Sequence, residues 1–171
     1  SLMITAVLGH RGNILVVELP CRLYELQEDL ASIGITWQAS SLPVSGTGNI
    51  QVKLEAGEPV GEMVLSQMEC ADLFLDLNRV CQEINKACPF GYDEFLDMLS
   101  PKDDPSCDHY LLYRKYELTP PSTAVGLKYL EEEAGRYRAT MENYKHACWM
   151  EEEEESEGMD DSWQYEEEWE R

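Results

Sequence analysis

Positive charge is what this chain has least of. Its 171 residues include 13 lysines and arginines against 34 aspartates and glutamates, giving a formal net charge of -21 at pH 7. A surface of that sign repels phosphate backbones and anionic lipid headgroups, so direct binding of nucleic acid or of a membrane is excluded as a simple function. The charge predicts a cationic partner.

Long apolar runs are also absent. The longest, around residues 14–19 and 73–77, fall far short of the ~20 residues that span a bilayer. No basic segment followed by an apolar one opens the sequence, so we expect a cytoplasmic protein. The six cysteines are scattered, mostly through apolar patterns, and no glycosylation sequon accompanies them, so we expect reduced, buried thiols and no disulfides.

The signature motifs of common enzyme classes are missing. The sequence has no Walker loop, no Gly-x-Ser-x-Gly elbow and no His-Glu-x-x-His helix, and its Gly-Thr-Gly at 46–48 lacks the third glycine of a dinucleotide fingerprint. The Cys/His pairs at 107–109 and 146–148 lack the spacing of structural zinc ligands. We therefore expect no enzymatic activity, no cofactor and no metal site.

The pattern of the first 118 residues predicts an α+β body. Apolar, β-branched runs at 3–8 and 14–19 flank a polar turn at 10–13, which is typical of a β-hairpin, and 35–38, 50–54, 63–66 and 110–116 are further candidate strands. Helical spacing at 23–33, closed by Gly34, and at 71–87 and 93–99 predicts helices. The expected fold is a small mixed or antiparallel sheet with packed helices, followed by a long C-terminal helix and an acidic tail.

A long helix is predicted after Ser122. Apolar or small residues recur there in steps of three and four: Leu127, Leu130, Ala134, Tyr137, Met141, Tyr144 and Cys148. This narrow seam either packs on the protein's own body or pairs with a second copy, which leaves a homodimer open. The expected organisation is a body at 1–118, which has a break near 56–68 if it forms two subdomains, a helix at 119–150 and a tail at 151–171.

The tail concentrates the negative charge, with 12 acidic residues and a single base, Arg171. If the helix continued through residues 151–155, it would carry one charge per ~1.5 Å, close to the one per ~1.7 Å of duplex DNA. The tail also contains aromatic residues. Purely solvating segments have few of these, so their presence argues for a binding role. The alternative is a disordered solvating tail, because like charges four residues apart weaken a helix.

The charge count nominates a partner-binding surface and no catalytic residue. The nominated carboxylates are those of Glu151, Glu152, Glu153, Glu154, Glu155, Glu157, Asp160, Asp161, Glu166, Glu167 and Glu168, with Glu131, Glu132 and Glu133 on the long helix. The nominated aromatic residues are Trp163, Tyr165 and Trp169.

Four segments of the N-terminal half resemble the ArdA-like antirestriction proteins of bacterial mobile elements. They are Met3-Ile-Thr-Ala-Val-Leu8, the hairpin-like run at 14–20, the helix at 23–33 with Gly34-Ile35, and Leu75-Asp-Leu-Asn-Arg-Val80. The resemblance covers residues 3 to 100. It implies a small, acidic, dimeric protein that occupies the DNA-binding groove of a type I restriction-modification enzyme by imitating the charge of a bent duplex.

Two functions follow as expectations. The first is a DNA-mimicking inhibitor of a basic DNA-binding protein, with a type I restriction-modification enzyme as the implied target. The alternative is an acidic protein-interaction adaptor of a mobile element, in which aromatic residues and the helix seam hold the partner while the carboxylates only steer the encounter.

Overall fold

The computed structural model describes residues 3–99 and 126–159, and on the last helix it describes side chains through residue 143 and that of Lys145. The chain divides into two compact units, Ser1–Gly135 and Arg136–Arg171. The candidate strand at 110–116 and the tail beyond residue 159 lie outside the described residues.

The first unit is built on a three-stranded antiparallel sheet. Strands β1 (Ile4–His10), β2 (Asn13–Leu19) and β3 (Ile50–Ala56) lie in the order β2-β1-β3. Along β1 every second residue, from Ile4 to His10, is buried, as a sheet with one face on the core requires. This arrangement confirms the predicted α+β class.

The predicted hairpin between β1 and β2 is confirmed, and its turn has two residues. His10 pairs with Asn13, and the residues between them, Arg11 and Gly12, have φ angles of 54° and 79°. Two positive φ angles define the type of turn that matches the twist of antiparallel strands. Asn13 falls in the polar segment at 10–13, from which we expected the turn, but it is the first residue of β2.

Five helices lie in the described ranges. They are α1 (Leu23–Ser32), α2 (Pro59–Gln67), α3 (Phe74–Ala87), α4 (Asp93–Leu99) and α5 (Leu127–Met159), and a 3₁₀ helix spans Trp37–Ser41. The helices predicted at 23–33, 71–87 and 93–99 and after Ser122 are confirmed as elements, but α3 begins at Phe74 and α5 begins only at Leu127, since Gly126 has a non-helical φ of 89°. After α1, Gly34 has the predicted left-handed conformation, with φ of 86°. None of the described helices has both the length and the apolar character needed to cross a membrane.

The strand predicted at 35–38 is wrong. Ile35 is buried, but both Thr36 and Trp37 are exposed, so the run lacks the alternation of a half-buried strand. Local hydrogen bonds close a 3₁₀ turn in its place. The side-chain oxygen of Gln38 accepts from the amide of Thr36 at 2.9 Å, and the hydroxyl of Ser41 donates to the carbonyl of Gln38 at 3.4 Å.

The strand predicted at 63–66 is also wrong, because this segment belongs to α2. Pro59 stands at the first position of that helix, where its missing N–H costs nothing. Val60, Gly61 and Val64 are the buried residues of α2, and their separation by three and four positions is helical.

The core lies between the inner sheet face and α1, α2 and α3. Phe74, Leu77 and Ile84 of α3 are fully buried. Asn78, 1 % exposed, ties α3 to the segment before α1, since its side chain accepts from the amide of Cys21 at 3.0 Å and donates to the carbonyl of Cys21 at 2.9 Å. These two hydrogen bonds satisfy the polar atoms of the Asn78 side chain, whose burial without partners would cost free energy.

The described cysteines are all free thiols. Cys81 and Cys88 are buried as expected, Cys21 is half-buried, and Cys70 is exposed, so the expectation of burial is wrong for Cys70. Burial raises the pKa of the Cys81 thiol to about 12 and that of Cys88 to about 11. These two thiols are part of the packed core.

The start of α5 packs within the first unit. Leu127, Leu130 and Ala134 are at most 5 % exposed in the single chain. This part of the predicted seam therefore packs in cis. Further along, Tyr137 and Met141 are half-buried, and the side chains of Tyr144 and Cys148 lie outside the described residues.

Candidate functional site

The three nominated carboxylates at the start of α5 have different surroundings. Arg79 of α3 holds Glu131 through two hydrogen bonds, Nε to Oε2 at 3.0 Å and Nη2 to Oε1 at 3.1 Å. The same guanidinium bonds Asp76 at 2.6 Å. Hydrogen bonding to Glu131, and then to Asp76, raises the pKa of Arg79 above its usual value. Glu131 is thus already paired with a cation of its own chain.

Glu133 is 2 % exposed and faces the interior of the first unit. Its burial removes it from direct contact with a partner. Glu132, by contrast, is exposed. Of the three nominated residues at the start of α5, Glu132 is therefore the one that is exposed and lacks the ion pair with Arg79 that holds Glu131.

The main acidic run lies on the C-terminal part of α5. The helix continues through Glu151, Glu152, Glu153, Glu154 and Glu155 and ends at Met159, after Glu157. Residues 146–159 contain six glutamates and neither lysine nor arginine. Because a helix rises 1.5 Å per residue, residues 151–155 carry one carboxylate per ~1.5 Å of axis. The helical backbone on which the charge-density comparison depended is therefore present.

The rest of the nominated tail lies outside the described residues. This applies to the carboxylates of Asp160, Asp161, Glu166, Glu167 and Glu168 and to the aromatic residues Trp163, Tyr165 and Trp169. Their roles stay predictions from the sequence.

A second candidate site, which the sequence did not suggest, is a groove of about 850 Å³ at one end of the sheet. Three segments converge there: the β1–β2 turn, the 3₁₀ helix and the loop that enters β3. The groove is lined by His10, Arg11, Gly12, Trp37, Gln38, Ser41, Leu42, Thr47, Gly48, Asn49, Ile50 and Gln51. Its size lies within the ~300–1,000 Å³ range of small-molecule sites.

The buried wall of this groove includes His10, which is 4 % exposed. Its Nδ1 donates to the carbonyl oxygen of Ile33, with a separation of 2.7 Å, across 23 residues of sequence. Gly34 lies against the ring, and a Cβ at that position would stand 3.3 Å from Nδ1. The contact fixes the imidazole and locks the end of α1 to the end of β1.

The sequence pattern does not predict this groove. The pattern puts His10 in the polar turn, but the structure has it as the last, buried residue of β1. The pattern also predicts a strand at Trp37, although a large ring between Thr36 and Gln38 in a short polar segment is equally typical of an exposed binding loop. Only the fold brings residues 10, 37 and 49 together.

Among the parts of the chain that the structure covers, no group of three or more histidine, cysteine or acidic side chains has the geometry to hold a metal ion. No protein-family model, curated protein or solved structure matches the sequence. The resemblance to ArdA-like proteins therefore stays a prediction from the residues that carry it.

Proposed function

We propose that this protein is a DNA-mimicking inhibitor that binds a basic DNA-binding protein through the carboxylates of α5. The observation that supports it is the continuity of α5 through residues 151–155. A regular backbone holds adjacent carboxylates at a spacing along its axis that matches the phosphates of a duplex, about 1.5 against about 1.7 Å.

The same helix contains an electrostatic strain that a cationic partner relieves. Among the six glutamates at 151–155 and 157, five pairs stand three or four residues apart. Each such pair destabilises a helix by roughly 0.2–0.5 kcal/mol, so the run costs on the order of 1–2.5 kcal/mol. Lysines and arginines of a DNA-binding groove would remove this repulsion, which links binding to helix stability.

The particular partner we propose is a type I restriction-modification enzyme, and this choice rests on the resemblance of residues 3 to 100 to ArdA-like proteins. The positive groove of such an enzyme holds phosphates through lysines and arginines. An acidic helix competes for those side chains, and its binding releases counterions as the binding of duplex DNA does.

A competition assay tests the proposal. The full chain is titrated into a complex of a type I restriction enzyme with labelled duplex DNA, at moderate salt. We expect displacement of the DNA, with an apparent affinity that falls steeply as salt is raised. Failure to displace DNA at high micromolar concentration contradicts the proposal.

Two variants with equal charge change locate the surface. In the first, residues 151–155 are changed to glutamine. In the matched control, five exposed acids of the first unit, Glu25, Glu28, Asp29, Glu55 and Glu62, are changed to their amides. We expect the first variant to lose displacement and the control to keep it. Equal losses would show that net charge alone acts, and a larger loss from Trp163→Ala with Trp169→Ala would favour the adaptor.

A further inference from the structure

The groove at the end of the sheet has walls that are fixed before any ligand arrives. The hydroxyl of Thr47 accepts from the amides of Asn49 and Ile50 at 3.2 and 3.1 Å, and the amide of Thr47 donates to the carbonyl of Ile50 at 2.8 Å. Gly46 closes this loop with φ of 82°, and a Cβ there would stand 2.5 Å from the carbonyl oxygen of Ile50. Preorganised walls lower the entropy that binding would cost.

The groove lacks carboxylates. None of its twelve lining residues is acidic, whereas Arg11 is a cation, in a chain whose acids outnumber its bases 34 to 13. Arg11 forms no salt bridge with any residue in the described ranges. A guanidinium that has no carboxylate partner among the described residues is suited to an external anion.

Trp37 supplies the second element of recognition. It is 79 % exposed, so the fold gains little from burying it, yet it stands beside the polar groups of the groove. Phe90 is even more exposed, at 95 %, but it does not line the groove. An exposed indole offers a flat apolar face on which planar rings stack.

We propose that this groove binds a small ligand that combines a planar ring with an anionic group, of the nucleotide class. The ring stacks on Trp37, the anionic group pairs with Arg11, and the amide side chains of Gln38, Asn49 and Gln51 hydrogen-bond the polar edges between them. The volume of about 850 Å³ accommodates a ligand of that size. None of the groove's lining residues belongs to α5, and this proposal stands whether or not the proposed inhibitor function holds.

Calorimetry with the full chain tests this assignment, with adenosine monophosphate as the probe. Adenosine and inorganic phosphate, each alone, separate the contributions of ring and anion. We expect the monophosphate to bind and each fragment to bind at least about fivefold more weakly, because both contacts contribute. No heat up to millimolar monophosphate, or equal binding of adenosine, overturns the proposal.

Matched variants locate the binding. Trp37→Ala and Arg11→Asn are the test pair, and asparagine is chosen because it tolerates the positive φ of the turn. Phe90→Ala and Lys53→Gln are the controls, since both residues are exposed and lie outside the groove. We expect each test variant to weaken the monophosphate at least about fivefold and both controls to leave it unchanged. Unweakened binding by Trp37→Ala, or equal weakening by Phe90→Ala, refutes the assignment; circular dichroism confirms that each variant is folded.

Discussion

The close approach of α2 to the backbone of Met3, just before β1, gives the sharpest test of the fold. Replacing a helical glycine by alanine normally stabilises a protein by about 0.5–1 kcal/mol. At Gly61 the sign should reverse. A Cβ there would overlap the carbonyl oxygen of Met3 and stand 2.9 Å from its carbon and 3.3 Å from the Cβ of Ala56. Met3 cannot easily move away, because its amide bonds the carbonyl of Leu19 at 2.9 Å.

The magnitude follows from the same contacts. Forcing a methyl group into a packed position typically costs about 1–3 kcal/mol. The shift also strains the hydrogen bond from the amide of Gly57 to the carbonyl of Met3, 2.8 Å long and worth about 1 kcal/mol. After subtraction of the propensity gain, we expect Gly61→Ala to lower the free energy of unfolding by about 1–3 kcal/mol.

Urea denaturation followed by circular dichroism measures this effect, and α5 offers a matched control. Gly135 is exposed and helical, and a Cβ there would meet nothing within 4 Å. Gly135→Ala should therefore stabilise the protein by about 0.5–1 kcal/mol. If Gly61→Ala were as stable as the unmodified protein while Gly135→Ala behaved as expected, the close packing of α2 against the backbone of Met3 would be wrong.

Three further predictions concern charge and thiols. Glu131→Gln should lower the free energy of unfolding by about 0.5–1 kcal/mol, a modest value because its ion pair with Arg79 is partly exposed. The control Glu132→Gln should change the free energy of unfolding little, because Glu132 is exposed. Equal free energies for the two variants in urea denaturation would contradict a stabilising contact between Glu131 and Arg79. In the native protein Cys70 should be alkylated by iodoacetamide far faster than Cys81, as read by peptide mass spectrometry. Burial raises the pKa of Cys81 from 9.0 to about 12. The contribution of the buried neutral thiol to the free energy of unfolding is therefore complete below pH 9 and is lost as the pH rises from 9 to about 12. Cys81→Ala should flatten that alkaline decline; an unchanged decline would contradict the burial.

The hairpin and the long helices were predictable because each carries a strong local signal. The apolar, β-branched runs at 3–8 and 14–19 flank a polar turn segment, and α3 keeps its helical stripe over 14 residues, which fixes the type of each element. The segments 35–38 and 63–66 are four residues each. At that length an apolar run fits either period, and the decision came from tertiary or local contacts: the buried face of Val60 and Val64, and the hydrogen bonds of the 3₁₀ helix.

The two candidate sites differ in how much the sequence could reveal. The glutamate run is continuous in sequence, so its charge density could be calculated from spacing alone. The groove depends on His10, Trp37 and Asn49, which come together only because both hairpin turn and β3 loop lie at the same sheet end. Similarly, composition could not show that Glu131 is paired and Glu133 is buried while Glu132 is exposed, because adjacent helical residues face directions about 100° apart.

The opposite electrostatics of the two proposed sites make salt a way to tell them apart. Binding of α5 to a basic groove gains from attraction between many charges, so its affinity should fall steeply as salt is added. An anion that approaches Arg11 is repelled by a chain of net charge -21 and attracted only over a short distance. Salt weakens mainly the long-range repulsion, because it screens interactions between charges that are farther apart than ~8–10 Å. Monophosphate binding should consequently change little or tighten over the salt range in which displacement of DNA is lost, and parallel loss of both would mean that a single nonspecific charge effect underlies them.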